Sequence, residues 1–149
     1  MRSLPPLMLV LVAVLGLTAA LVPGRSRAGA TGFKVVVNVA NPVATAERRF
    51  LEDAFLKRTT RWSGGTLIHP IDLTPDSPAR RLFSDDVLHR SVSAVKNYWQ
   101  QLIFSGRDVP PPEVETDEQV IRYIVKHPGG VGYVSASATV EGVKVLSLR

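Results

Sequence analysis

From Phe33 onward the chain switches repeatedly between an extended and a helical hydrophobic period, and those switches mark out its elements. Phe33 to Val39 is a β-branched run typical of a buried strand, ended by the turn signal Asn41-Pro42. From about Thr45 a helical period puts Phe50, Leu51, Ala54 and Phe55 on one face and Glu47, Arg48, Glu52 and Lys57 on the other. That helix gives way over Arg58 to Trp62, and Ser63-Gly64-Gly65 turns the chain into a second strand. Trp62 beside a Gly-Gly turn reads as a packing plug closing a core edge.

The stretch from Ile68 to Phe83 organises the rest. Its apolar segment Ile68 to Leu73 breaks at Thr74-Pro75-Asp76, and a helix opens at Ser77-Pro78, running to roughly Leu88 with Leu82, Phe83, Val87 and Leu88 inward. Ser77 suits the N-cap and Pro78 the first helical position, where no amide hydrogen is needed. Such a start presents free N–H groups and a partial positive charge, so it can seat an oxyanion, or Ser77 can simply cap its own helix.

Ser91 or Ser93 caps the next helix, in which Val95, Tyr98, Trp99, Leu102 and Ile103 recur at core spacing before Ser105-Gly106. Pro110, Pro111 and Pro112 predict an extended surface connection. Thr116 and Gln119 form a capping box for a helix with Val120, Ile121, Ile124 and Val125 inward, stopped by Pro128-Gly129-Gly130. Val131 to Val134 and Val143 to Leu148 are the last two strands, joined by a small-residue loop or helical turn over Ser135 to Ala138. Strand, helix, strand, three helices and two strands predict an α/β sandwich that binds ligands off the carboxyl ends of its strands.

The 149 residues suit one domain, residues 31–149, behind a segment of about thirty that reads as an address. Arg2 precedes an apolar run from Leu7 to Val22, and Ala28-Gly29-Ala30 offers a cleavage site, so residues 1–30 are expected to be a signal peptide. The alternative is an uncleaved anchor, since Leu4 to Val22 is about long enough to span a bilayer. Cleavage would leave 15 basic against 13 acidic side chains, a formal +2 in place of +5. With that balance, and no basic tract interleaved with aromatics, nucleic-acid binding is not expected. The absence of cysteine excludes disulfides and thiolate chemistry.

His69, His89 and His127 lie far apart in sequence, and none pairs with another at metal-ligand spacing or completes a nucleophile, histidine and acid set. Asp85 and Asp86 diverge on a helix, while Glu113, Glu115, Asp117 and Glu118 read as a solvated face around a helix start. The residues therefore point to a non-enzymatic protein with no cofactor and no metal.

Taken in order, several motifs resemble short exported members of the phosphate ABC transporter substrate-binding protein family. They are Asn41-Pro42, Phe55-Leu56-Lys57 leading to Trp62 and Gly65, Ile71-Asp72 with Ser77-Pro78, Arg80 and Phe83, the run from Tyr98 to Gly106, and Pro128 to Val134. The resemblance spans Phe33 to Leu148 and implies a single periplasmic-binding-protein-like lobe of type II, a mixed sheet flanked by helices. In full-length phosphate-binding proteins two lobes close on the anion, one supplying an arginine and a Ser-Gly-Thr turn at a helix start. Here Ser77 matches the serine, Pro78 and Ala79 stand at the glycine and threonine, and Leu73 or Asp72 occupies the region of the arginine.

What this implies is a periplasmic or otherwise extracytoplasmic solute-binding module. Inorganic phosphate or a similar oxyanion would be held by Ser77, the amides of Ala79 and Arg80 and the Arg80 side chain, with an ABC transporter as partner. The alternative is an envelope interaction or sensory module whose former cleft face docks another protein. A membrane enters only if the N-terminal segment is kept.

Overall fold

The computed structural model describes residues 32–149; the expected signal peptide or anchor and its cleavage site lie outside them. Among the described residues no helix is long and apolar enough to cross a membrane. The architecture is a mixed sheet with helices on both faces, built around strand β1 (Phe33–Asn38). Its apolar side chains Val35, Val36 and Val37 are fully buried, as a strand covered on both sides requires.

β1 pairs antiparallel with β6 (Gly130–Ser135) on one side and with β7 (Val143–Leu148) on the other. Outer positions are taken by β2 (Thr45–Ala46), parallel to β7, and β3 (His69–Pro70), parallel to β6, giving the order β2-β7-β1-β6-β3. β2 corrects the expected helix start at Thr45. Thr45 and Ala46 instead extend the sheet edge opposite Ser147 and Leu148, and helix α1 (Arg48–Phe55) begins only after Glu47, which makes no side-chain cap. Leu51, Ala54 and Phe55 bury the expected face of α1.

The expected second strand is split in two. Pro70 has no amide to donate, Ile71 still donates to Val131 at 2.9 Å, and Asp72 then donates to Pro112 at 2.9 Å. The chain thus changes partners at one residue, and β4 (Asp72–Leu73) pairs parallel with β5 (Glu113–Val114) in a separate two-stranded sheet. β5 corrects the expectation of a plain surface connection after the three prolines. Its pattern, one exposed and one half-buried residue, is too short to carry a hydrophobic period.

Alternation along β6 decides which helix covers which face. Tyr133 stacks on Phe83 of α2 (Pro78–Asp86) at 4.0 Å and lies 5.9 Å from Phe55 of α1. Gly132 faces the other way, under Val120 and Ile124 of α4 (Asp117–Lys126). A Cβ at Gly132 would fall 2.6 Å from Ile71 Cγ2 and 2.8 Å from Val120 Cγ1, so its absence lets α4 sit close on the sheet. Asn38 fixes the far end of the same helix by donating to the Ile124 and Val125 carbonyls at 2.8 and 3.2 Å.

The capping box at α4 is present in full. Thr116 Oγ1 accepts from Gln119 N, and Gln119 Oε1 accepts from the Thr116 amide at 3.1 Å. Thr116→Ala is expected to lower the unfolding free energy by about 1 kcal/mol in urea titration, the usual worth of such a cap. On α2 and α4, Leu82 and Val125, expected inside, point outward, being 39% and 50% exposed. On α2 the buried face is turned instead to include Arg80 and Ser84.

Candidate functional site

Strand β4, the turn Thr74 to Ser77 and the start of α2 converge at one corner of the molecule. Ser77 is the N-cap of α2, accepting from the Arg80 amide at 3.4 Å, and Pro78 occupies the first turn. Ser77 also donates its own amide to the Thr74 carbonyl at 3.0 Å, which closes the turn. The Ala79 amide has no hydrogen-bond acceptor among the described residues. A hydroxyl and a free amide therefore meet at the positive end of α2, with the Arg80 amide already shared with the cap.

The side chain of Arg80 goes elsewhere. It is 3% exposed, runs beneath the helix start, forms an ion pair with Asp72 Oδ2, and donates from Nη1 to the Leu73 carbonyl at 3.0 Å. Glu113 on β5 approaches the same Nη1 at 3.8 Å from a more exposed position. The expected Arg80 contact with an anion is thereby corrected. The guanidinium is committed to a buried carboxylate, and its remaining Nε–H is buried without a partner. Arg80 instead ties the end of β4 to the first turn of α2.

Asp72 is the residue that sequence reasoning undervalued. Its Oδ1 accepts from the Tyr133 hydroxyl, and the Tyr133 oxygen in turn accepts from the Leu73 amide at 3.3 Å. Burial raises the Asp72 carboxyl above the usual carboxylate range, while Arg80 and Tyr133 pull the other way. Burial and the neighbouring Asp72 charge push the Tyr133 phenol upward, so it stays protonated and donates. Burial disfavours the Arg80 charge, but Asp72 overrides it and the guanidinium is held protonated more firmly than usual. The advance signs of this network were an aspartate inside the apolar segment Ile68 to Leu73 and the place of Ile71-Asp72 and Arg80 in one motif of the family resemblance.

A cavity of about 610 Å³ opens beside this network. One wall is a face of α3 (Val92–Phe104), and across it stand Arg80, Pro110 and Glu113. Neither Ser77 nor Ala79 lines it. Ile103, expected in the core, is 48% exposed on that wall, whereas Val95 and Trp99 are buried as expected. Trp62 is a buried plug, its indole donating to the Gly129 carbonyl at 3.1 Å. His69 and His127, distant in sequence, bring their rings to 5.2 Å, yet no cluster of three or more metal-ligating side chains exists among the described residues.

No protein-family model matches the chain, and no curated protein matches it closely enough to count as a relative. Solved structures do match its fold. An ABC-type phosphate transport receptor from Vibrio cholerae is 19% identical over 78% of this chain and 46% of its own, with a TM-score of 0.55. A structure assigned as a phosphate ABC transporter substrate-binding protein with bound phosphate, from Clostridium perfringens, is 14% identical over 78% of this chain and 44% of its own, with a TM-score of 0.62. A candidate phosphate-binding protein from Planctomyces limnophilus is 16% identical over 79% of this chain and 41% of its own, with a TM-score of 0.57. The described domain thus has the fold of phosphate substrate-binding proteins, and the chain spans less than half the length of these structures.

Proposed function

We propose that this chain is an extracytoplasmic, non-enzymatic solute-binding lobe, related to the binding proteins of phosphate ABC transporters, that seats phosphate or a similar oxyanion at the start of α2. The observation that carries the reading is the strand–turn–helix corner, with the Ser77 hydroxyl beside the unpartnered Ala79 amide. Phosphate neighbours of the same fold support it. In this reading Ser77 donates its hydroxyl hydrogen, the Ala79 amide donates directly and the Arg80 amide is recruited from the cap. The Arg80 side chain holds the corner in place rather than touching the ligand. Residues 1–30 direct export as a signal peptide, or remain as an anchor, and a transporter in the membrane is the partner.

An anion on one lobe stays half in water, where each contact is screened, so modest affinity follows. Calorimetric titration of the full chain with phosphate and sulfate at low salt should give saturable heat that disappears in Ser77→Asp. Aspartate caps helices well, so this variant should keep its stability while repelling the anion. No heat up to millimolar anion, a regime weaker than about −4 kcal/mol, would sink the oxyanion reading.

A second reading is favoured by the Asp72 carboxylate, which takes up the Arg80 charge. In that case the corner has lost free-anion binding and the domain is an envelope interaction module. Anions then give no heat with either protein, and a specific envelope partner copurifies.

A further inference from the structure

His69 and His127 are far apart in sequence, and the parallel pairing of β3 with β6 brings them together. His69 lies opposite Gly130, so its side chain leaves the sheet on the face that a Gly130 side chain would take. That face belongs to α4, since a Cβ on Gly130 would fall 2.9 Å from the His127 carbonyl oxygen and 3.0 Å from the Ile124 Cα. His127 is the C-cap of the same helix, and the two imidazoles meet there with ring centroids 5.2 Å apart. Both residues are half-buried, within reach of solvent.

The hydrogen bonding of the pair suits one kind of ligand. His127 Nδ1 lies 2.7 Å from the Tyr123 carbonyl oxygen, which can only accept, so Nδ1 carries the hydrogen and Nε2 keeps its lone pair. Tyr123 also stacks on the His127 ring at 4.1 Å and holds its plane. An imidazole oriented through a backbone carbonyl, with its other nitrogen free, is how a metal-ligating histidine is usually prepared. The His69 ring nitrogens make no hydrogen bond among the described residues, so this ring can turn either nitrogen toward a shared ion. Metal–nitrogen bonds of about 2.0–2.1 Å meeting at a tetrahedral angle set two imidazole centroids about 5 Å apart, which matches the 5.2 Å of this pair.

The surrounding charges leave room for a cation. The carbonyl end of α4 favours one. Lys57, which lines a cavity with His69, is balanced by Asp108 at 3.4 Å. Lys126, beside His127 in the chain, is exposed, where water and salt screen its repulsion. Neutral imidazoles bind by donating lone pairs, so the pair needs no surplus negative charge.

We propose that His69 and His127 form a binding site for a divalent transition-metal ion such as Zn²⁺, each imidazole giving one nitrogen. No group of three or more metal-ligating side chains exists among the described residues, so water completes the coordination. Mg²⁺ and Ca²⁺, which take oxygen ligands, do not bind there. The site stands at the entry of β3, whereas the Ser77 corner follows the exit through β4, so neither reading depends on the other.

The test is a Zn²⁺ titration of the full chain, free of any affinity tag, read by long-range proton–nitrogen NMR of the histidine side chains. Resonances of His69 and His127 should move together with one midpoint below about 1 mM, His127 through Nε2, while those of His89, exposed beyond α2, stay put. His69→Gln and His127→Gln should each weaken Zn²⁺ binding by at least about tenfold, since losing even an outer partner of a metal ligand costs that much. His89→Gln should change nothing, and Mg²⁺ at the same concentration should give no shift. Separate midpoints for the two histidines overturn the proposal, as does full affinity retained in either His69→Gln or His127→Gln. So does the absence of saturable shifts up to about 1 mM Zn²⁺. The common midpoint is read on the parent chain, so it decides the matter even where a glutamine variant loses its fold.

Discussion

Arg80→Ala should lower the unfolding free energy by about 3–5 kcal/mol, because it leaves the Asp72 carboxylate buried without its counter-ion. Asp72 is 4% exposed and keeps only the Tyr133 hydroxyl and neighbouring dipoles to replace a full positive charge. For a domain of this size the loss corresponds to a fall of roughly 10–20 °C in Tm, readable by circular dichroism. The paired variant Asp72→Leu with Arg80→Met should recover most of it. Two apolar side chains of similar volume remove both desolvation penalties at once; Tyr133 Oη keeps its bond from the Leu73 amide but loses the acceptor for its own hydrogen, so the recovery is incomplete. A loss below about 1 kcal/mol in Arg80→Ala would mean that the pair is as well solvated as a surface salt bridge.

Gly129→Ala is expected to be at least as damaging. A Cβ at this position would lie 1.7 Å from the Leu67 carbonyl oxygen and 2.9 Å from its carbon, and backbone atoms cannot rotate aside. Relief requires the loop before β3 to move away from the segment entering β6. The Gly129 carbonyl accepts from both the His69 amide at 2.9 Å and the Trp62 indole at 3.1 Å, so that movement loosens the β3–β6 pairing and unseats the plug together. We expect a loss of more than about 3 kcal/mol in urea unfolding, beyond ordinary overpacking, with Trp62 emission shifted to the red. Gly64→Ala is the control. A methyl group there would meet nothing within 4 Å and the Gly64 φ is ordinary, so its stability should stay within about 0.5 kcal/mol of the parent. Equal stability of the two variants would refute this account of the Gly129 approach.

The candidate site was legible in part. Ser77 as N-cap followed from a serine ahead of proline at the start of an amphipathic run, and the capping box of α4 followed from Thr116 and Gln119 in the same way. These are contacts within one turn of chain, where a few adjacent residues contain the whole interaction. The direction of the Arg80 side chain was not legible. Its partner Asp72 and Tyr133, which bonds that same carboxylate, lie 8 and 53 residues away from it and come together only because β4 leaves the main sheet while β6 stays in it. The outward Leu82 follows from the same cause, since turning Arg80 inward rotates the apolar stripe of α2 away from the period that hydrophobicity alone suggests.

By itself the sequence determined the elements whose signals are local: β1, the body of α1, the Ser77 and Thr116 helix starts, α3 and the two closing strands, and with them the α/β class. Tertiary structure alone decided the short edge strands β2 and β5, the division of the second strand between two sheets, the meeting of His69 with His127, and the union of Asp72, Arg80 and Tyr133. A two-residue strand has no period to read, and it exists only where another strand offers its backbone groups. A buried charge likewise has no local signature, because what makes it tolerable is a partner supplied from elsewhere in the chain.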